Sequence, residues 1–256
     1  MITLDAVTVR YGDAVAVAGV SAEVRRGEWV GLIGANGAGK TTLLRAVVQL
    51  VPSEGRTLVD GTPVDRLSRR ELARLVAYVP QKPELPVEMT VADYILLGRS
   101  PHIGYFGFER PEDHRVCAGL LDRLDLTHMA GRTLRTLSGG ELQRLVLGRA
   151  LAQEAPVLLL DEPTSALDLG RRVDALEIVD ALRLEHGLTV LIAMHDLTLA
   201  GQFADRLILL ADGTVAATGP PAEVLDETVL SRHFGHRVQV LRSPEGEYIV
   251  APRRTA

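Results

Sequence analysis

Gly34-Ala35-Asn36-Gly37-Ala38-Gly39-Lys40-Thr41-Thr42 decides how this chain is read. The run fits G-x-x-x-x-G-K-T, and its flanks matter as much as the match. Glu28 to Ile33 before it is a short apolar run with strand character, and Leu43 to Val48 after it carries apolar residues at helical spacing. Strand, glycine turn and helix start, in that order, predict a phosphate-binding loop. Its glycines let consecutive backbone N–H groups turn inward, and the helix start adds partial positive charge. Lys40 is expected to reach the β- and γ-phosphates of a nucleoside triphosphate, and the Thr41 hydroxyl to ligate Mg²⁺.

Such a loop needs a carboxylate for the metal and a group that activates water. Pro156 to Leu160 is an apolar run of the kind buried in a parallel sheet, and it ends on Asp161-Glu162-Pro163. Open α/β sheets bind ligands at the carboxyl ends of strands, so Asp161 suits the metal and Glu162 a general base. A surface Asp-Glu pair opening a helix is the plainer reading, and the apolar strand directly before it weighs against that. Leu137-Ser138-Gly139-Gly140-Glu141 opens a helix with Ser138 in N-cap position and two glycines that bare backbone N–H groups. This predicts a second anion surface. Two such surfaces in one chain suggest two copies facing each other, each completing the other's nucleotide site.

Outward from these stretches the pattern alternates strands and helices. Ile2–Arg10 and Val15–Val24 read as strands around a Tyr11-Gly12-Asp13 turn, and the loop's helix is expected to run to about Leu50. Tyr11, by itself, favours packing at a strand end over offering a flat face to a base. Arg56–Val59 enters a hairpin at Asp60-Gly61, Arg69–Leu75 is a short helix, and Val76–Val79 a buried strand ending before Gln81. After Gln81 the character changes to proline-punctuated linker and helical patterns at Val91–Leu97, Asp113–Leu124 and Glu141–Ala152. Residues 84–153 read as an inserted helical subdomain, 1–83 and 154–218 as the core. The extension 219–256 reads as two short helices and a hairpin-like tail. Ser100 to Phe108 gathers aromatics among Gly and Pro, as a docking surface or a local core would. His102 lacks a second metal ligand at suitable spacing. Strands at Thr189–Met194, Arg206–Leu210 and Thr214–Thr218 and helices at Leu169–Glu185 and Leu197–Ala204 complete the pattern.

Composition sets limits. The 256 residues are 46% hydrophobic with a net charge of −5, which argues against nucleic acid as a partner. Lys40 and Lys82 are the only lysines in a chain otherwise basic through arginine. The lone cysteine, Cys117, excludes an internal disulfide and is expected to pack in a helix. No stretch approaches the ~20 apolar residues that span a bilayer, and no basic-then-apolar leader opens the sequence. A soluble, cytosolic chain is expected, held at any membrane by another subunit.

With these motifs in view the sequence resembles the ATP-binding cassette (ABC) ATPases over nearly its whole length. The Walker A loop at 34–41, Gln81 as Q-loop, Leu137 to Glu141 as signature, Val157 to Glu162 as Walker B, Ser165-Ala166-Leu167-Asp168 as D-loop and His195 as switch occur in family order. The resemblance implies an α/β P-loop NTPase (RecA-like) core with an antiparallel β subdomain and an inserted helical subdomain. It assigns adenine stacking to Tyr11, overturning the packing preference. It gives Gly34, Asn36, Gly37, Gly39, Lys40, Thr41 and Thr42 to the phosphates, and Ser138, Gly139, Gly140 and Asp168 to the nucleotide of a facing copy. Thr41, Gln81 and Asp161 would hold Mg²⁺, while Glu162, His195, Gln81 and Lys40 would serve hydrolysis. Leu142 departs from a position often polar in relatives, outside the signature proper. Implied partners are membrane permease subunits, a second copy in an ATP-sandwich dimer and, through the permease, an extracytoplasmic solute-binding protein; the implied place is the cytoplasmic face of the membrane. Leu97-Gly98-Arg99-Ser100-Pro101-His102 with Gly104-Tyr105-Phe106-Gly107, and Ala204 to Leu207 continuing through Asp212-Gly213 to Gly219–Leu225, resemble the importers of iron–siderophore, haem and cobalamin. Alternatives are import of zinc, manganese or branched-chain amino acids, or a non-transport cassette, which usually carries coiled coils or tandem cassettes.

Overall fold

The computed structural model describes residues 1–104, 107–164, 167–234 and 238–253. In chain order the elements are β1 (Ile2–Tyr11), β2 (Ala14–Val24), β3 (Trp29–Ile33), α1 (Lys40–Val47), β4 (Glu54–Val59), β5 (Thr62–Pro63), α2 (Arg69–Leu75) and β6 (Val76–Val79). Then come α3 (Val91–Leu96), α4 (Pro111–Arg123), α5 (Gly139–Ala152), β7 (Val157–Asp161), α6 (Leu169–His186), β8 (Thr189–Ala193) and α7 (Leu197–Phe203). The chain closes with β9 (Arg206–Ala211), β10 (Thr214–Gly219), α8 (Pro221–Val224), α9 (Glu227–Phe234), β11 (Val238–Arg242) and β12 (Tyr248–Pro252). It divides into two compact units, Met1–Arg66 with Thr189–Ala256, and Leu67–Leu188.

In the first unit β3 lies parallel between β8 and β9, with Leu32 opposite both Ala193 and Ile208. Every residue of β3 and β8 is buried, as strands covered on both faces must be, which explains their unbroken apolar runs. β10 turns back antiparallel along β9. A second, antiparallel sheet runs β2-β1-β4-β5, with Val7, Val9, Val17 and Val20 buried on its inner side. Helix α1 stops at Val47, short of the expected Leu50. Gln49 takes a left-handed φ of 56° and Leu50 is 61% exposed, so no apolar contact rewards a further turn. The tail forms two short helices and the β11–β12 hairpin, Val240 opposite Val250.

In the second unit β6 and β7 are parallel neighbours, Val79 opposite Leu160. Helix α2 starts at a capping box in which Ser68 and Glu71 satisfy each other's backbone N–H. Helices α3, α4 and α5 bury Val91, Ile95, Leu120, Leu121 and Leu145. Arg99 ties them together: its guanidinium donates to Asp113 at 2.8 Å, the Ala152 carbonyl at 2.8 Å and Glu154 at 2.6 Å. Cys117 is buried on α4. His102 Nε2 lies 2.8 Å from the Gln153 carbonyl, which gives the imidazole a structural bond. Among the described residues no helix is long and apolar enough to cross a membrane.

Candidate functional site

The candidate residues fall into two sets, one on each unit. The first is built where the parallel strands of the first unit end. Met194 N–H donates to the Leu32 carbonyl at 3.0 Å, so β3 and β8 finish side by side. The phosphate loop leaves one strand and His195 leaves the other, at the end where such sheets bind ligands. Ala35, Asn36 and Gly37 form an exposed lip, while Gly34, Gly39 and Lys40 are buried. Lys40 is 5% exposed, and its Nζ donates to the carbonyls of Gly34 at 2.8 Å and Ala35 at 3.1 Å. The ammonium is thereby aimed back over the loop rather than along the helix. Thr41 and Thr42 follow in the first turn of α1, both half-buried.

Gly39, like Gly34, is a residue the loop cannot exchange. It caps α1 at φ 101°, and a Cβ there would sit 2.6 Å from the Ala16 carbonyl oxygen. That approach draws β2 against the loop. Tyr11 stands at the tip of the same β1–β2 hairpin, on the same end as Ala16, opposite Ala14 and 49% exposed. An exposed ring at a hairpin tip has little packing to account for it. His195 is exposed and stands just before Asp196, which caps α7 by accepting from Leu199 N–H at 3.1 Å.

The second set gathers at the ends of β6 and β7. Gln81 Nε2 donates to a Glu162 carboxylate oxygen. The Tyr78 hydroxyl donates to Asp161 at 3.2 Å. Asp161 is fully buried and Glu162 is 7% exposed, so both carboxylates are held in place rather than solvated freely. Tyr78 escaped the sequence reading; its only signal is a polar tip in an otherwise apolar strand.

Ser138 caps α5 in a capping box with Glu141, whose carboxylate accepts from Ser138 N–H at 2.6 Å. That backbone bond, with the Ser138 hydroxyl, holds the Glu141 carboxyl below the usual range. Gly139 and Gly140 form the first turn of this fourteen-residue helix. A Cβ on Gly140 would lie 2.6 Å from the Arg171 guanidinium. Arg171 in turn reaches Asp168, its N–H donating to the cap carboxylate at 3.0 Å and its Nε pairing at 3.4 Å. Arg171 therefore joins the signature turn to Asp168. Sequence reasoning missed it; the available signal was an arginine three residues past a capping aspartate. Ser165 and Ala166 of the expected D-loop lie outside the described residues.

Residues 17–165 match the family model described as ABC transporter. The chain belongs to the ABC transporter family. A hemin import ATP-binding protein of Streptomyces coelicolor is 42% identical over 249 residues, 96% of this chain and 88% of that protein. The solved structure of a transporter described as of metal-chelate type, in an inward-facing conformation, superposes with a TM-score of 0.84 at 28% identity, covering 99% of this chain and 97% of the other. An ATP-binding cassette solved as a dimer in a post-hydrolysis state with ADP and phosphate gives 0.76 at 29% identity, over 86% of this chain and 99% of the other. The fold is thus the α/β P-loop NTPase core with an antiparallel β subdomain and a helical ABC subdomain. The chain is an ABC-type transport ATPase, the ATP-binding motor subunit of an importer.

Proposed function

We propose that this cassette drives import of a metal chelate of the iron–siderophore, haem or cobalamin type, working as an ATP-sandwich dimer on the cytoplasmic face of a membrane permease. The observation that carries the dimer is the Ser138-capped turn of α5, tied to Asp168 through Arg171 on the same chain as the phosphate loop. Hydrolysis uses one chain's loop and another's signature turn. Gly34, Asn36, Gly37, Gly39, Lys40, Thr41 and Thr42 bind the phosphates, and Tyr11 stacks on adenine. Ser138, Gly139, Gly140 and Asp168 close over that nucleotide from the facing copy.

Thr41, Gln81 and Asp161 offer a hydroxyl, an amide oxygen and a carboxylate, the hard oxygen donors that suit Mg²⁺. When bound, the ion would neutralise charge on the β- and γ-phosphates. Glu162 accepts the proton of the attacking water, oriented by the Gln81 amide. Lys40 and His195 meet the γ-phosphate. Motion then passes to the permease through the helical subdomain, residues 84–153 inserted into the core of 1–83 and 154–218. Phe108, 87% exposed, supports a docking face there. Tyr105 and Phe106, the other two rings of that aromatic stretch, lie outside the described residues. A solute-binding protein on the far side of the permease would deliver the chelate.

Growth decides the solute. A strain lacking this chain should fail on hemin or a ferric siderophore as sole iron source and recover with the wild-type gene. Unimpaired growth on both, with failure under zinc or manganese limitation instead, would transfer the assignment to the metal-ion alternative.

A further inference from the structure

Helix α7, which begins two residues after His195, is held on two sides. Seven residues are too few for a helix to persist unsupported. Leu197, Leu199 and Ala200 bury one face, and Phe203 closes the end against Trp29 with ring centroids 5.8 Å apart. The other face meets the C-terminal hairpin. Val250 N–H donates to Thr198 Oγ1 at 3.0 Å, and the Thr198 hydroxyl lies 3.4 Å from the Val250 carbonyl. One side chain thus meets both backbone groups of Val250 in β12, as a neighbouring strand would. A Cβ on Gly201 would sit 3.2 Å from Tyr248 Cβ and 2.7 Å from Leu225 Cδ1, so the hairpin and α8 end press directly on the helix. Gln202 Nε2 reaches Glu247 at 3.3 Å.

On the reading that His195 meets the γ-phosphate, we propose that the β11–β12 hairpin braces the switch histidine, with Thr198 as the positioning residue. The buried face of α7 fixes its height on the sheet, and the hairpin fixes the opposite face. Thr198, three positions beyond His195 and in the first helical turn, is the hairpin contact nearest the histidine in the chain. Thr198 touches no nucleotide in this scheme; it acts only through where α7 holds His195. Catalytic geometry tolerates small displacements poorly, so a loosened brace slows chemistry before it weakens nucleotide binding.

The test compares Thr198→Val, Thr198→Ser and His195→Ala in the full chain. Valine keeps the shape and removes the hydroxyl. Loss of one part-buried hydrogen-bonding group should lower kcat about fivefold in Thr198→Val. KM for ATP, ADP affinity and the fraction of protein that binds ADP should stay at wild-type values, and Thr198→Ser should restore most of the rate. Unfolding temperature is measured beside each rate, because a purely structural loss would lower stability and the ADP-binding fraction together. That result, or a Thr198→Val rate equal to wild type while His195→Ala is impaired, overturns the brace. A His195→Ala chain as fast as wild type would remove the switch reading itself, and the brace with it.

Discussion

The Gln81 amide donates a hydrogen bond to the Glu162 carboxylate across neighbouring strand ends, joining residues 81 positions apart. One carboxylate oxygen of Glu162, the proposed base, is therefore already engaged. An amide at 162 accepts no proton, so Glu162→Gln should lower turnover by about 10²–10⁴ while ATP still binds. Phosphate release and gel filtration with ATP check it: a persistent ATP-bound dimer is expected. A wild-type rate would take Glu162 out of the role of base.

Lys40→Ala acts earlier. The substitution deletes the charge at the phosphates and the two bonds that tie the loop to itself. Nucleotide affinity should fall by at least about tenfold, since charge-assisted hydrogen bonds of this kind contribute ~1.5–3 kcal/mol. Equilibrium binding of a fluorescent ATP analogue measures it.

Damage to the signature should act in trans. In a mixture of Ser138→Arg chains with Lys40→Ala chains, each heterodimer keeps one intact composite site. ATPase activity should return above that of either variant alone. Failure to recover, with heterodimers demonstrated by differential tags, would count against shared sites.

The Arg99 network predicts an acid limit. A backbone bond from Arg110 and then the Arg99 guanidinium hold the Asp113 carboxyl below its ordinary value of 3.8. A depressed folded value stabilises above the ordinary value and is lost as pH falls through the folded one. Glu71, held down by the Ser68 hydroxyl, and Glu141 act in the same direction. Melting temperature should therefore drop steeply below about pH 4, and less steeply in Asp113→Asn. Arg99→Met leaves Asp113 buried without its cation and should cost about 3–5 kcal/mol near neutral pH, read by urea unfolding.

Burial pushes the Cys117 thiol up to about 11. Thiolate is the reactive form, so Ellman's reagent at pH 8 should label the folded chain far more slowly than the chain in urea. The rate of labelling then reports opening of α4. Fast labelling of the native protein would contradict the packing of this helix.

Most elements were legible because their signals are local. The apolar runs at Trp29–Ile33 and Val157–Leu160, the Ser138 cap and the Ala211 to Thr214 turn each state their structure within a few residues. The end of α1 was not legible: a left-handed Gln49 ends it, and no glycine or proline marks the place. Candidate site residues could be named from motif order and spacing, but the side chains that meet them could not. Arg171 at Gly140, Tyr78 on Asp161 and Thr198 on Val250 are side-chain meetings between distant parts of the chain. Periodicity carries no information about such pairs, which depend on how finished elements pack.

Glu162 stands in the left-handed region, at φ 50°, directly after β7. By backbone preference alone that position suits glycine or asparagine, and a longer side chain there costs of order 1–3 kcal/mol. The carboxylate is thus kept against the grain of its own main chain. Were turnover no longer under selection, drift at this one codon would be free to run downhill in energy. A descendant cassette that binds nucleotide without spending it should betray itself first at position 162, by a smaller residue and a higher melting temperature.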